Sequence, residues 1–218
     1  MKSIYIFSSG PGGRDLFQLI NDINKENKEW NVLGYIDTDK NLIGKKIDGI
    51  TVFHPQKIKK MKNDKIFGIC GVQDPIVREK IIKYEIIKNG IEIPYLIHPS
   101  AVIAHDFKPS LGLIIFSGVN ISYNVKIGKN VLISFNSLIG HDCRIGDYSS
   151  LLPSSTIDGK CSVGSKSIIG SGVVMHPGVS VGKNSIVGIG TVLINNVEDD
   201  TTIVNMPKLV KYSKKNDN

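Results

Sequence analysis

Hydrophobic positions along this 218-residue chain follow two different rhythms, one on each side of residue 95. Lys2 to Ser8 holds a nearly continuous apolar run, Ile4-Tyr5-Ile6-Phe7, as expected of a parallel strand buried on both faces. Arg14 to Lys28 places Leu16, Phe17, Leu19, Ile20 and Ile23 at helical spacing. Val32 to Asp37 reads as a second strand, Lys45 to Phe53 as an edge hairpin, and Pro55 to Met61 as a short helix opened by proline. Lys65 to Gly71 predicts a third buried strand. Asp74 then caps a helix with Pro75 at its first position and a stop at Asn89-Gly90, before a fourth strand at Tyr95-Leu96-Ile97. Strands alternating with helices in this way predict a small Rossmann-like parallel sheet.

Beyond residue 95 the rhythm becomes six. From Ile115, every sixth residue to Leu193 is aliphatic or Met, fourteen positions in all. Four residues after each stands a small side chain, from Val119 through Ser137, Cys143 and Ser149 to Val197. Glycine follows the aliphatic residue seven times, from Gly128 to Gly188, and is expected to relieve the backbone at turns. A period of six fits neither a helix nor a half-buried strand, and it is the mark of a parallel β-helix in which each hexad is one short strand and a corner. Between Ile103 and Ile115 the register blurs, with Pro109 where an aliphatic residue belongs. The change of pattern predicts domains at 1–94 and 95–207 and a polar tail at 208–218, with the β-helix able to fold without the first domain.

Composition narrows the function. The net charge of +7 suits an anionic partner, but the lysines are scattered, with Lys59-Lys60 and Lys214-Lys215 only local pairs. No zinc-finger spacing or aromatic-basic signature points to nucleic acid, and a small polyphosphate molecule accounts for the charge as well. No apolar run is long enough to span a membrane, and the apolar stretch after Met1 is too short for a signal peptide, so the cytoplasm is expected. Three cysteines, an odd number, argue against a disulfide framework. The turn Ser8-Ser9-Gly10-Pro11-Gly12-Gly13 between a strand and a helix offers backbone N–H groups to a phosphate, and Asp37 closes the second strand where a ribose hydroxyl would be met. The same pattern also fits a tight turn with no ligand.

Four stretches carry a resemblance: the Gly-rich turn after strand one, Gly34-Tyr35-Ile36-Asp37, Leu96-Ile97-His98-Pro99-Ser100-Ala101-Val102, and Gly140-His141-Asp142-Cys143-Arg144-Ile145-Gly146-Asp147. With them the whole chain resembles the hexapeptide-repeat sugar acetyltransferases of the sialic acid O-acetyltransferase and UDP-4-amino-sugar N-acetyltransferase type. The resemblance implies a fold of class α/β plus all-β, the small Rossmann-like sheet followed by a left-handed β-helix with eighteen residues per three-sided coil. It implies acetyl transfer from acetyl-CoA to a UDP- or GDP-linked amino sugar for surface-glycan synthesis, with no metal. His141 would be the general base and Asp142 its carboxylate partner. Acetyl-CoA contacts fall on Ser150, where the family has a second histidine, and on Ser171 and Ile189. Nucleotide-sugar contacts fall on Gly10, Pro11, Gly12, Asp37, Thr38 and Gly71.

Three departures from the family's Gly-x-Gly-Gly-His-Gly turn are Ser8, Pro11 and Gly12. Sugar O-acetylation and a β-helix scaffold without chemistry are the alternatives. A zinc enzyme of the same fold would need three histidines, and this region offers His141, His176 and the out-of-register His105. Stacking of residues eighteen apart sets Cys143 against Cys161 as inward thiols. It also sets Tyr123, His141, Gly159 and Pro177 in one column and Phe135, Pro153, Ser171 and Ile189 in another. Base and acetyl-CoA contacts are then on different faces, which predicts a homotrimer with each active site built from two chains.

Overall fold

The computed structural model describes residues 1–58 and 66–205; the expected end of the helix from Pro55, the lysine pairs and the tail lie outside the described residues. Five strands form the N-terminal sheet: β1 (Lys2–Phe7), β2 (Trp30–Ile36), β3 (Lys46–Ile47), β4 (Ile50–Phe53) and β5 (Ile66–Cys70). Their order is β3-β4-β2-β1-β5, all parallel except the β3–β4 hairpin at the edge. Ile4, Ile6 and Phe7 are buried, as a strand covered on both sides requires. Helix α1 (Pro11–Glu26) buries Leu16, Leu19, Ile20 and Ile23 against the sheet.

Helix α1 begins three residues earlier than the apolar spacing suggests. Pro11 takes the first helical position, where its fixed φ is an advantage and its missing N–H costs nothing. At Pro55 only a single 3-10 turn, Pro55–Lys57, is described. Helix α2 (Pro75–Ile81) starts as expected, with Asp74 accepting hydrogen bonds from Ile76 and Val77. It continues through a π-helical turn, Ile82–Ile86, and ends at Gly90 in the left-handed conformation.

The fourth strand belongs elsewhere. Leu96–Ile97 pairs with Ile114–Ile115 and opens the β-helix, because its partner lies eighteen residues on and not in the N-terminal sheet. From there short parallel strands wind into a left-handed β-helix of three sheets. One, here the covered face, runs from Leu96–Ile97 through Leu132–Ile133 and Ser150–Leu151 to Thr202–Ile203. The apolar face runs from Val102–Ile103 through Leu138–Ile139 to Val192–Leu193. The basic face consists of Lys126–Ile127, Arg144–Ile145, Ser162–Val163 and Ser180–Val181. Residues pair with a step of eighteen, as Lys126 with Arg144 and Leu138 with Thr156, until the last coil, where Ile186 pairs with Thr202. In the first coil Phe107 packs against the core, near where Pro109 breaks the pattern.

The glycines of the repeat have a different task from the one expected. Left-handed backbone falls on the fourth residue of each hexad: Asn124, Asn130, Asn136, Asp142, Tyr148 and so on, with φ of 54°, 57°, 56°, 60° and 61°. The glycines after the aliphatic residue lie elsewhere; a Cβ on Gly164 would stand 2.5 Å from backbone atoms of Gly182 and Lys183 in the next coil. Close coil-to-coil approach, not turn geometry, requires them. The small residue completes the hexad from inside. Ser149 and Ser167 donate their hydroxyls to the carbonyls of Gly164 and Gly182, and Cys143 and Cys161, both free, do the same to Asp158 and His176.

The N-terminal unit sits on the covered face. Ile114, Phe116 and Leu132 of the β-helix share one hydrophobic core with Ile69, Ile82 and Ile86. Arg78 is the polar counterpart of that contact. It is 1% exposed, and its guanidinium donates to the carbonyls of Val72 and Gln73 on one side and of Asn130, Tyr148 and Ser149 on the other. Burial lowers its pKa to about 10. Lys166 pairs with Glu79 at 2.8 Å, and His98, which accepts from Ser100 N on Nδ1, reaches Asp22 through Nε2 at 3.3 Å. A β-helix deprived of residues 1–94 would bare Ile114, Phe116 and Leu132.

Candidate active site

His141 and Asp142 occupy the corner between the apolar and basic faces, after Leu138–Ile139 and before Arg144–Ile145. Asp142 Oδ2 lies 2.8 Å from His141 Nδ1, and its other oxygen accepts from Asn124 Nδ2 at 2.6 Å. Asn124 stands eighteen residues before Asp142, in the preceding coil, and its own N–H is bound by Asp106. These bonds, His141 first and Asn124 second, hold the Asp142 carboxyl below the usual carboxylate range. An ionised Asp142 only accepts, so a neutral His141 carries its proton on Nδ1 and presents the lone pair on Nε2. Tyr123, also one coil earlier, stacks on the imidazole with ring centroids 5.4 Å apart and planes 9° apart.

The remaining expected residues are not gathered around this pair. Ser150 is 0% exposed; its hydroxyl donates to Gln73 O, 2.6 Å away, and accepts from Arg78. It braces the contact between the two units, and no surface of it is free in the protomer, at a position where the resemblance places an acetyl-CoA contact. The reason is that the covered face received a whole domain. Ser171 and Ile189 lie at the corner between the covered and apolar faces, and Ile189 is 74% exposed. They and His141 therefore flank a common face at its opposite edges, because the third residue of a hexad falls in a turn and not on a strand.

The nucleotide-side residues divide three ways. Gly10 and Pro11 line a cavity of about 740 Å³ with Ser9, Arg14 and Asp48, while Asp37 and Thr38 line a separate one of about 230 Å³ with Pro55 and Glu85. Gly12 and Gly71 face one another: a Cβ on either would lie 2.1 or 2.3 Å from the other's carbonyl oxygen. Their glycine character serves this close approach of α1 to the end of β5. The turn's N–H groups are largely used within the chain. Ser9 N and Oγ donate to Asp37 at 2.8 and 2.6 Å, Gly10 N donates to Ser8 Oγ, and Gly13 N and Arg14 N return to Gly10 O. Burial would raise the Asp37 pKa, but the hydrogen bonds from Ser9 and Asp39 outweigh it and the net shift is downward. Ser8, at the position of the family's first glycine, has φ of 94°.

A shallow groove of about 500 Å³ runs along the basic face, lined by Lys126, Arg144, Lys183 and Asp199 among others; His141 is not part of its lining. Among the described residues, no three His, Cys, Asp or Glu side chains form a group that could hold a metal ion, and no helix is long and apolar enough to cross a membrane. Sequence reasoning missed Asn124 and Arg78. Asn124 was legible through its step of eighteen to Asp142; Arg78 gave no signal, since a single arginine in an amphipathic helix normally faces water.

Fold and corner together define a two-part hexapeptide-repeat protein with a histidine–carboxylate pair on an exposed edge of the β-helix. Residues 1–92 match the family model described as C2185-like, N-terminal, and residues 124–159 match that of the bacterial transferase hexapeptide (six repeats). The structure is similar to that of a histidine-to-asparagine mutant of perosamine N-acetyltransferase from Caulobacter crescentus, solved with CoA and GDP-perosamine, with 23% identity, a TM-score of 0.84 and 98% of each chain covered. It is also similar to WeeI from Acinetobacter baumannii AYE, at 22% identity and a TM-score of 0.83 over 94% of this chain and 97% of that one. The acetyltransferase domain of PglB from Neisseria gonorrhoeae FA1090, in complex with acetyl coenzyme A, gives 18% identity and a TM-score of 0.81 over 92% and 95%. At these identities the likeness is one of fold. No curated protein matches the chain by sequence.

Proposed function

We propose that this protein is an acetyl-CoA-dependent N-acetyltransferase acting on a nucleotide-linked amino sugar. The observation that carries the reading is the His141–Asp142 pair, with Nδ1 and Asp142 Oδ2 2.8 Å apart and the second carboxylate oxygen held by Asn124. In the reaction the amine nitrogen bonds to the acyl carbon, the carbon–sulfur bond breaks, and the amine proton passes to His141 Nε2 while the thiolate leaves. Asp142 holds the ring in the reactive tautomer and stabilises the imidazolium that forms. Lys126 and Arg144, strand partners on the basic face, suit the phosphates of the co-substrate. Purified protein incubated with acetyl-CoA and a panel of UDP- and GDP-linked amino sugars should release free thiol with at least one. Release with none of them overturns the reading.

The same geometry supports a homotrimer. The covered face carries the N-terminal unit, and the His141 corner is the one opposite that face. A sugar nucleotide held by one chain's N-terminal unit therefore meets the base of another chain. The apolar face exposes Val102 (66%), Leu138 (41%) and Val192 (64%), a row suited to burial about a threefold axis. Its two edges then bring the His141 corner of one copy against the Ser171 corner of the next. Mixed trimers of His141→Ala and Ser171→Trp proteins should regain part of the activity each lacks alone; a fully active monomer overturns the arrangement.

A further inference from the structure

Three consecutive coils present three different things at the catalytic corner: the phenol of Tyr123, the imidazole of His141, and no side chain at Gly159. The backbone ladder holds them in line, Asp142 N to Tyr123 O at 3.2 Å and Lys160 N to His141 O at 2.8 Å. One coil rises by roughly 4.8 Å, so an aromatic ring lying between coils meets whatever projects from the coils on either side. On one side the ring meets Tyr123. On the other, a Cβ on Gly159 would lie 2.5 Å from His141 Nε2, 2.8 Å from Cε1 and 3.0 Å from Cδ2.

Gly159 differs here from the other glycines of the repeat. Gly140, Gly146, Gly164 and Gly170 each meet backbone of the following coil, and Gly172, Gly178 and Gly190 have left-handed φ. At Gly128 and Gly188 a side chain of Asp147 or Val204 comes nearest but backbone of the next coil follows it, whereas at Gly159, which has no left-handed φ, all three nearest atoms belong to the His141 ring. The closest of them is the nitrogen that Asp142 does not engage.

We propose that Tyr123 and Gly159 are positioning residues that together make a slot for His141. Tyr123 fixes the plane of the ring, and the notch at Gly159 gives it depth and leaves Nε2 open to the amine whose proton it takes. Asp142 and Asn124 set the tautomer; the slot sets where the lone pair points. The proposal rests on His141 being the base, and the measurements separate the two ideas.

The first measurement needs no substrate. In protein labelled at histidine carbons, the His141 Cε1–H and Cδ2–H signals, identified by their loss in His141→Ala, should move when Tyr123→Ala removes the stacked ring and hold nearly still in Tyr123→Phe. They should also move in Gly159→Ala. Signals that stay in place in both alanine variants overturn the slot, whatever an assay reports.

The second measurement is turnover. Displacing a general base by about 1 Å can cost on the order of 100-fold, so Gly159→Ala should lose about that much kcat with its melting transition kept. Tyr123→Ala should lose about tenfold in kcat with little change in KM, and Tyr123→Phe should recover it. If the signals move while kcat is unchanged, the residues do not position a base and the proposal fails. If Gly159→Ala does not fold, the Tyr123 pair still decides the matter. Wild-type protein that releases no thiol with any amino sugar would sink the acetyltransferase reading and leave the spectroscopic test of the slot intact.

Discussion

The two halves of this molecule build their cores by opposite means. In the β-helix one rule is applied again and again: residue i pairs with i+18, an aliphatic side chain faces inward, and a small side chain, either valine or a hydrogen-bonding serine, cysteine or threonine, completes the hexad. In the N-terminal sheet every contact is particular. Gly12 fits Gly71, Gly34 lies against Phe53, and a register shift falls between Ile4 and Tyr5. A repeated rule tolerates a local exception, which is how a corner can hold Tyr123, His141 and Gly159 without disturbing the coils. A structure of particular contacts has less room for one, and its turn departs from the family pattern at Ser8 with a φ of 94°.

The comparison can be broken most sharply at the corner. His141→Ala should lower turnover by about 100- to 10,000-fold while leaving the melting transition in place, because the side chain lies outside the inward ladder. Near-native kcat in that variant would remove His141 from the chemistry. Asp142→Asn should cost less, since it weakens the orientation of the ring without deleting it.

A second break is at the seam between the halves. Arg78→Met leaves the carbonyls of Asn130 and Tyr148 without their arginine donor in a place closed to water, while Ser149 O keeps its bond from Leu132 N. The expected cost is on the order of 3 kcal/mol, and denaturation followed by Trp30 fluorescence should part from that followed by far-ultraviolet dichroism. Coincident, unshifted transitions would show that the seam is not held by this side chain.

Glu79→Gln tests the same seam more gently. Lys166 first and Lys83 second hold the Glu79 carboxyl below the usual carboxylate range. A carboxylate with a depressed folded pKa adds stability above its unfolded value, about 4.3, and loses it as pH falls through the folded one. Wild type should therefore lose up to about 1 kcal/mol more than Glu79→Gln between neutral pH and pH 3. Equal acid sensitivity in the two proteins would discount the pair.

The smallest expected effect sharpens the comparison from the other side. Ser8→Gly relieves left-handed backbone in the turn and should raise stability by about 0.5–1 kcal/mol, read as a higher denaturation midpoint. An unchanged or lowered midpoint would mean that the hydroxyl's contact with Gly10 N outweighs the backbone cost.

Much of this was legible before any coordinates. The step of six gave the interior ladder residue by residue, because a repeat makes spatial neighbours out of fixed sequence intervals; His141, Asp142, Tyr123 and Gly159 fell into place by the same count. The N-terminal strands were legible from their apolar runs. The error at Tyr95-Leu96-Ile97 came from treating a buried two-residue strand as part of the nearer pattern, when its partner lay eighteen residues ahead.

What only the tertiary structure decided is which face of the prism would be covered. Nothing local distinguishes Ile114, Leu132 and Ser150 from the outward row Val102, Leu138 and Val192. Shape and the reach of one arginine make the choice, and with it Ser150 becomes a buried brace. The Asp37 carboxylate likewise closes on Ser9, 28 residues away. Periodic contacts are written at fixed intervals along the chain. Contacts between two differently built halves depend on surfaces that exist only once each half has folded.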